Sequence, residues 1–228
     1  MEALAGNPKT LATEWDGDTP WLLADWPNPA GADCPPPSNV GEWRAFSAAY
    51  RDELLLAHEW PAIREAHRLT LLGYGRELVA LDQTWGRTQR GLAPVWRALA
   101  AAGARLGQQR LHRLRPLQAE RSVRRYVAAV DSAEATGWHT VVFGLLLGVH
   151  SLPLRQGLLH YAQQSLGGFL QGTPLAKLDD CTRMALLAEA TAGMVPRLNK
   201  LLAAESISSD RVSADPISGE ISGEMRAR

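Results

Sequence analysis

Between about residues 41 and 202 the apolar positions recur with helical spacing, and no stretch alternates as a half-buried strand would. Trp43, Phe46, Tyr50, Leu54 and Ala57 stand at i, i+3, i+7, i+11 and i+14, which predicts one helix with these five residues inward. Pro61 suits the first turn of a second helix, whose face carries Ile63, Tyr74, Leu78 and Leu81. A third starts near Pro94 with Val95, Leu99, Ala102 and Leu106 in phase; the stripe slips near Gly107, where a bend or break is expected. Pro116 opens a fourth, with Ala119, Val123, Tyr126, Val127 and Val130 inward. Residues 139–150 are apolar nearly all round, the mark of a central buried helix. Phe143, Leu146 and Val149 are its expected core residues, and Gly144 and Gly148 its points of close approach. Pro153 opens a sixth helix with Leu158, Ala162, Leu166 and Phe169 inward, and Thr173-Pro174 ends it. Two more follow near 177–191 and 194–204. The expected fold is all-α: a single-domain bundle of roughly eight helices over residues 41–205.

The two ends read differently. Residues 1–40 hold seven of the 14 prolines and six acids (Glu2, Glu14, Asp16, Asp18, Asp25, Asp33) against Lys9, and are expected to form an irregular acidic arm. Residues 206–228 are rich in Ser, Gly, Asp and Glu and are expected to form a tail that a partner can order. The composition, 46% hydrophobic and 21% charged in 228 residues, is that of a globular chain. The first residues lack the basic and apolar regions of a secretory signal, and the longest apolar run, residues 141–149, is short of the about 20 needed to span a bilayer. A cytoplasmic, non-membrane protein is expected.

Candidate chemistry is sparse. None of His58, His67, His112, His139, His150 and His160 pair at i, i+3 or i, i+4, so the helical zinc and di-iron signatures are missing. His67 falls on the apolar face of its helix and is expected to be a hydrogen-bonded core histidine. Cys34 and Cys181 are too few for a zinc or disulfide framework. No nucleophile elbow and no phosphate loop is present. Asp179-Asp180 resembles the paired acids of magnesium-dependent helical synthases, but no second acidic cluster faces it, and acids after a break favour a helix start. No catalytic set, cofactor site or metal site is expected.

Charge is the remaining signal. The net charge is zero, with 24 basic and 24 acidic residues, yet residues 87–125 hold ten arginines against Glu120. Arg121, Arg124 and Arg125 point away from the Val123/Val127/Val130 stripe and should form a solvated basic face. Arg97, Arg105, Arg110 and Arg113 fall at scattered angles, and no aromatic residue lies between Trp96 and Tyr126, which argues against nucleic acid. An acidic protein partner, or solubility, fits the run better.

The order of these features resembles the UreF-type urease accessory proteins. Leu22-Leu23-Ala24-Asp25 with Pro29 and Gly31 is similar to that family's N-terminal motif. So are Trp60-Pro61-Ala62-Ile63-Arg64-Glu65-Ala66-His67, then Val141-Val142-Phe143-Gly144 with Gly148 and Leu152-Pro153-Leu154, then Tyr161-Ala162-Gln163-Gln164-Ser165-Leu166. The segment after Gly31 is shorter than the family's, and Pro174-Leu175-Ala176-Lys177 replaces its Pro-Leu-Gly-Gln, as in a divergent member. The resemblance implies a non-enzymatic scaffold. It would join a second accessory protein and a GTPase on apo-urease to promote nickel insertion, with a homodimer left open. It also gives the C-terminal tail, with Ile207, Val212, Ile217 and Ile221 as anchors, the task of holding the second accessory protein. The competing readings are a prenyl-synthase-like enzyme using Asp179 and Asp180, and a basic nucleic-acid-binding regulator.

Overall fold

The computed structural model describes residues 36–117 and 119–212. These divide between two compact units, Met1–Thr191 and Ala192–Arg228. The described residues are helical and contain no strand. In chain order they form α1 (Val40–Ala49), a π-helical segment (Tyr50–Glu59), α2 (Trp60–Leu71), α3 (Gly75–Gln89), α4 (Pro94–Leu114), α5 (Arg121–Asp131), α6 (His139–Val149), α7 (Leu154–Gln171), α8 (Asp180–Thr191) and α9 (Met194–Val212). Two 3-10 turns, Arg115–Leu117 and Pro174–Lys177, complete the connections.

A capping box starts α1. Asn39 Oδ1 accepts from the Glu42 amide at 3.0 Å, and the Glu42 carboxylate accepts from the Ser38 amide at 2.7 Å. The backbone then passes into the π segment without leaving the helix, and this changes the face. Over nine residues an α-helix turns about 180° beyond whole turns, whereas a π-helix at about 4.4 residues per turn returns close to its starting side. Tyr50 and Glu59 are therefore both buried on one side, and Ala57, expected inward, is exposed.

The second expected helix is two. α2 ends in a Schellman motif: the Tyr74 amide donates to Leu69 O at 2.9 Å and the Gly73 amide to Thr70 O at 3.0 Å, with Gly73 at φ 71°. The chain turns there, and Tyr74 leaves the inward face. The break expected near Gly107 does not occur, since α4 is continuous through it. What lies there is a crossing: a Cβ on Gly107 would stand 2.0 Å from Gly137 O, so only glycine lets the loop before α6 pass. Pro116 sits in a 3-10 turn, and α5 begins later, at Arg121, leaving Ala119 exposed.

The centre is α6, with nine of its residues buried, including Val141, Val142, Phe143, Leu145 and Leu147. Leu146 and Val149, expected as core, are only partly buried at its margin. α6 packs chiefly on α2 and α4. Gly144 and Gly148 lie against α2 as expected: added Cβ atoms would stand 2.4 Å from Ile63 O and 2.6 Å from Thr70 Cβ. α3 packs on α5, joined through Asp82. This carboxylate is fully buried and accepts from Tyr126 Oη at 2.5 Å and from the Thr136, Gly137 and Trp138 amides at 2.6, 3.1 and 3.0 Å. It thereby fixes the loop that launches α6.

α5 also ends in a Schellman motif, with Ala133 at φ 59° and the Glu134 amide donating to Ala129 O at 2.8 Å. A Cβ in the left-handed region is strained by about 1 kcal/mol. Ala133→Gly is therefore expected to raise unfolding free energy by up to about 1 kcal/mol, read by urea denaturation. An unchanged or lower midpoint would show that this turn is not strained.

Candidate functional site

α5 is strongly two-faced. Ser122, Val123, Tyr126, Val127 and Ala129 are buried, whereas Arg121 and Arg124 are exposed and make no ion pair among the described residues. Arg125 keeps a side chain 41% exposed on this face but is held at both ends. Its backbone end packs under the turn before α3, with its Cβ 2.9 Å from where a Cβ on Gly75 would be, and its guanidinium pairs with Glu134 at 3.0 Å. The arginines of this face without an ion pair among the described residues are thus Arg121 and Arg124.

The Gly75 contact also sets the turn from α2 to α3 against α5 at Ser122 and Arg125. The turn from α2 to α3 carries Leu71, Leu72 and Tyr74, which are 58%, 50% and 48% exposed, the largest solvent-facing apolar side chains in this part of the fold. An apolar patch next to arginines, with an aromatic residue among them, is the composition of a protein interface rather than of ordinary surface. Periodicity missed this patch by running one helix through it. The signal that could have found it is Gly73-Tyr74-Gly75, a helix stop followed by a restart.

Of the tail anchors, Ile207 and Val212 belong to α9, which continues to Val212 past the expected end of the helical body at 205. Ile217 and Ile221 lie outside the described residues, as does the Leu22–Gly31 stretch.

The interior holds a second polar cluster that the sequence did not reveal. Glu59 is buried and accepts from Tyr50 Oη at 2.7 Å and Tyr161 Oη at 3.0 Å. Burial pushes its carboxyl up to about 7, against the opposing pull of the two tyrosine hydroxyls. The tyrosines are in turn held well above their ordinary range, first by burial and then by the Glu59 charge. His139 stacks on Tyr161 with ring centroids 5.5 Å apart, and burial, then the Arg110 charge, holds it well below the usual imidazole range. Arg110 turns inward, 5.9 Å from the Phe143 ring centre. A neutral imidazole and a carboxylate anchored by tyrosines are structural partners here. His67 is partly buried at the edge of α2.

Asp179 and Asp180 serve the start of α8. Asp179 Oδ1 accepts from the Thr182 amide at 2.9 Å and Oδ2 from Thr182 Oγ1 at 2.7 Å, while Asp180 pairs with Arg183. Among the described residues, no three His, Cys, Asp or Glu side chains gather as a metal site. No described helix is long and apolar enough to cross a membrane.

Comparison with known proteins bears on what the patch meets. The sequence model of the UreF family matches residues 40–173, from the first residue of α1 to the turn after α7. No curated protein and no solved structure matches the chain.

Proposed function

From the premise that this chain belongs to the UreF family, and so has a urease accessory role in nickel insertion, we propose that it acts as a scaffold. It joins a second urease accessory protein and a GTPase on apo-urease, while nickel is the cargo of those partners. The matched region contains both α2 and α5, and the observation that carries the proposal is the exposed Leu71, Leu72 and Tyr74 on the turn whose Gly75 abuts Ser122 and Arg125 of α5, the helix that also exposes Arg121 and Arg124. In this reading the aromatic and leucine side chains supply the desolvated centre of a contact, and the arginines its polar rim. The helical end Ile207 to Val212, with Ile217 and Ile221 beyond it, forms a second contact, to the other accessory protein.

The two contacts are separable in one pull-down series with the accessory protein and the GTPase from the same gene cluster. Tyr74→Asp is expected to weaken one partner by roughly 30-fold, the effect of an interface centre worth about 2 kcal/mol. Arg121→Glu/Arg124→Glu should weaken the same partner mainly at low salt. Deleting residues 213–228, which leaves α9 whole, should release the other. Each is a surface change, so unfolding free energy should move by no more than about 0.5 kcal/mol. Full retention of both partners by all three variants would place the contacts elsewhere.

A further inference from the structure

We infer that the outer stripe of α4 is the docking site of the chain's own acidic N-terminal segment, residues 1–35. The helix buries Trp96, Leu99, Ala102, Leu106, Leu111 and Leu114 and packs on α6. The opposite side is a single stripe, Arg97, Ala101, Arg105, Gln108 and His112, at i, i+4, i+8, i+11 and i+15, all exposed. Residues 94–114 carry four arginines and no acid.

Charge is left over on this stripe and in the N-terminal segment, as it also is at Arg76, Arg87, Arg121 and Arg124 among the described residues. Other arginines sit on acids: Arg44 on Glu189, Arg51 on Asp52, Arg68 on Glu65, Arg115 on Asp131, Arg125 on Glu134. Arg97 and Arg105 have no such partner among the described residues, nor does Arg90, the C-cap of α3 that begins the connection into α4. The N-terminal segment holds the converse surplus, Glu2, Glu14, Asp16, Asp18, Asp25 and Asp33 against Lys9.

Geometry puts the two together. The described chain begins at Pro36, with Pro37 buried, just before Asn39, the cap of α1. Phe46, six residues into that helix and so about 9 Å along it, lies with its ring 5.8 Å from that of Trp96, the residue before Arg97. Asp33 and Asp25 are three and 11 residues before Pro36, and an extended chain spans about 3.3 Å per residue. Asp25 and the acids before it have the chain length to span a stripe whose two arginines are about 12 Å apart along the helix. A tether this short holds the acids at an effective concentration of the order of millimolar, which a free acidic partner lacks. Trp15, Trp21 and Trp26, interspersed with the acids, add apolar contact over Ala101 and the arginine stems. The segment lies outside the family-matched residues 40–173, and the inference stands on charge and tether rather than on the role in nickel insertion.

Paramagnetic relaxation in the full chain tests it. A nitroxide is placed on the stripe through Ala101→Cys in a Cys34→Ser/Cys181→Ser background, and amide peak intensities of residues 2–25 are read. At about 0.05 M salt at least about half of the intensity should be lost, returning at about 1 M, where the screening length falls to about 3 Å. Arg97→Glu/Arg105→Glu should restore the peaks at low salt, and Arg121→Glu/Arg124→Glu should not. Four results would overturn the inference: peaks unaffected at low salt; broadening that survives Arg97→Glu/Arg105→Glu; release by the α5 variant instead; or broadening seen only when labelled and isotope-bearing chains are mixed, which would make the occupant a second copy. Ala101, Cys181 and the substituted arginines are exposed, and circular dichroism confirms that each variant keeps its helices.

Discussion

Gly144→Ala is expected to destabilise the protein by about 2–3 kcal/mol, and Gly144→Leu to leave it largely unfolded at 37 °C. Helix propensity alone predicts the reverse for alanine, a gain of about 1 kcal/mol over glycine in a helix interior. The packing decides the sign. A Cβ at this position would stand 2.4 Å from Ile63 O, 2.6 Å from Ala66 Cβ and 3.1 Å from the His67 amide nitrogen. Two of these are backbone atoms of α2 and cannot rotate away, so α2 and α6 must part along their length. Ile63, Ala66, Val141 and Leu145, all at 0% exposure, sit between or beside them and would lose close contact together. Gly91 supplies the control, since its nearest atom would be Thr88 O at 3.6 Å, an ordinary contact. Gly91→Ala should therefore stay within about 0.5 kcal/mol of the parent. Urea denaturation of the three variants reads the difference. A Gly144→Ala protein as stable as the parent would mean that α2 and α6 are not in the contact described.

Much of this architecture was legible because the core is made by ordinary α periodicity. Leu158, Ala162, Leu166 and Phe169 are buried as their spacing requires, and the all-round apolar run of α6 is the centre. Pro153 and Thr173-Pro174 bound α7 because proline fixes the backbone at a helix start whatever the rest of the fold does. Failures arose where local geometry departs from 3.6 residues per turn, or where a tertiary neighbour sets the residue. The phase slip at Gly107 read as a break, whereas the small side chain answers to the loop crossing at Gly137. The stripe from Ile63 to Tyr74 ran through Gly73, so Tyr74 was placed in the core and the exposed patch was hidden. Arg125 fitted the polar face of α5 by angle, and its side chain is 41% exposed there, but its contact with Gly75, 50 residues back, could not be read from that angle. Glu59 was invisible for a further reason: in an α-helix it would lie opposite Tyr50, and no pattern announces a π segment.

That same buried glutamate should give the protein a distinctive pH response. Its ordinary carboxyl value is 4.5 and in the fold it is about 7. Between these values the folded state holds the proton and the unfolded state does not, so folding is favoured by acid. Below pH 4.5 both states are protonated and nothing is lost; as pH rises toward 7 the contribution disappears, and above 7 the full cost of a buried charge remains. At about 1.4 kcal/mol per pH unit the whole span is worth about 3 kcal/mol. His139 acts in the opposite sense. Held well below 6.5 by burial and by Arg110, it stays neutral in the fold while the unfolded chain protonates, so stability falls as pH drops below 6.5. The parent curve alone therefore mixes two slopes. Glu59→Gln separates them: an amide can still accept from one tyrosine hydroxyl and donate to the other, but it carries no titration, and His139 is common to both proteins. The difference in unfolding free energy, parent minus Glu59→Gln, should fall by about 3 kcal/mol between pH 4.5 and 7.5 and be flat above that. Urea titrations at half-unit intervals give this difference curve. A flat difference throughout would mean that the carboxyl titrates alike in both states, and that the tyrosine pair offsets the cost of burying its charge.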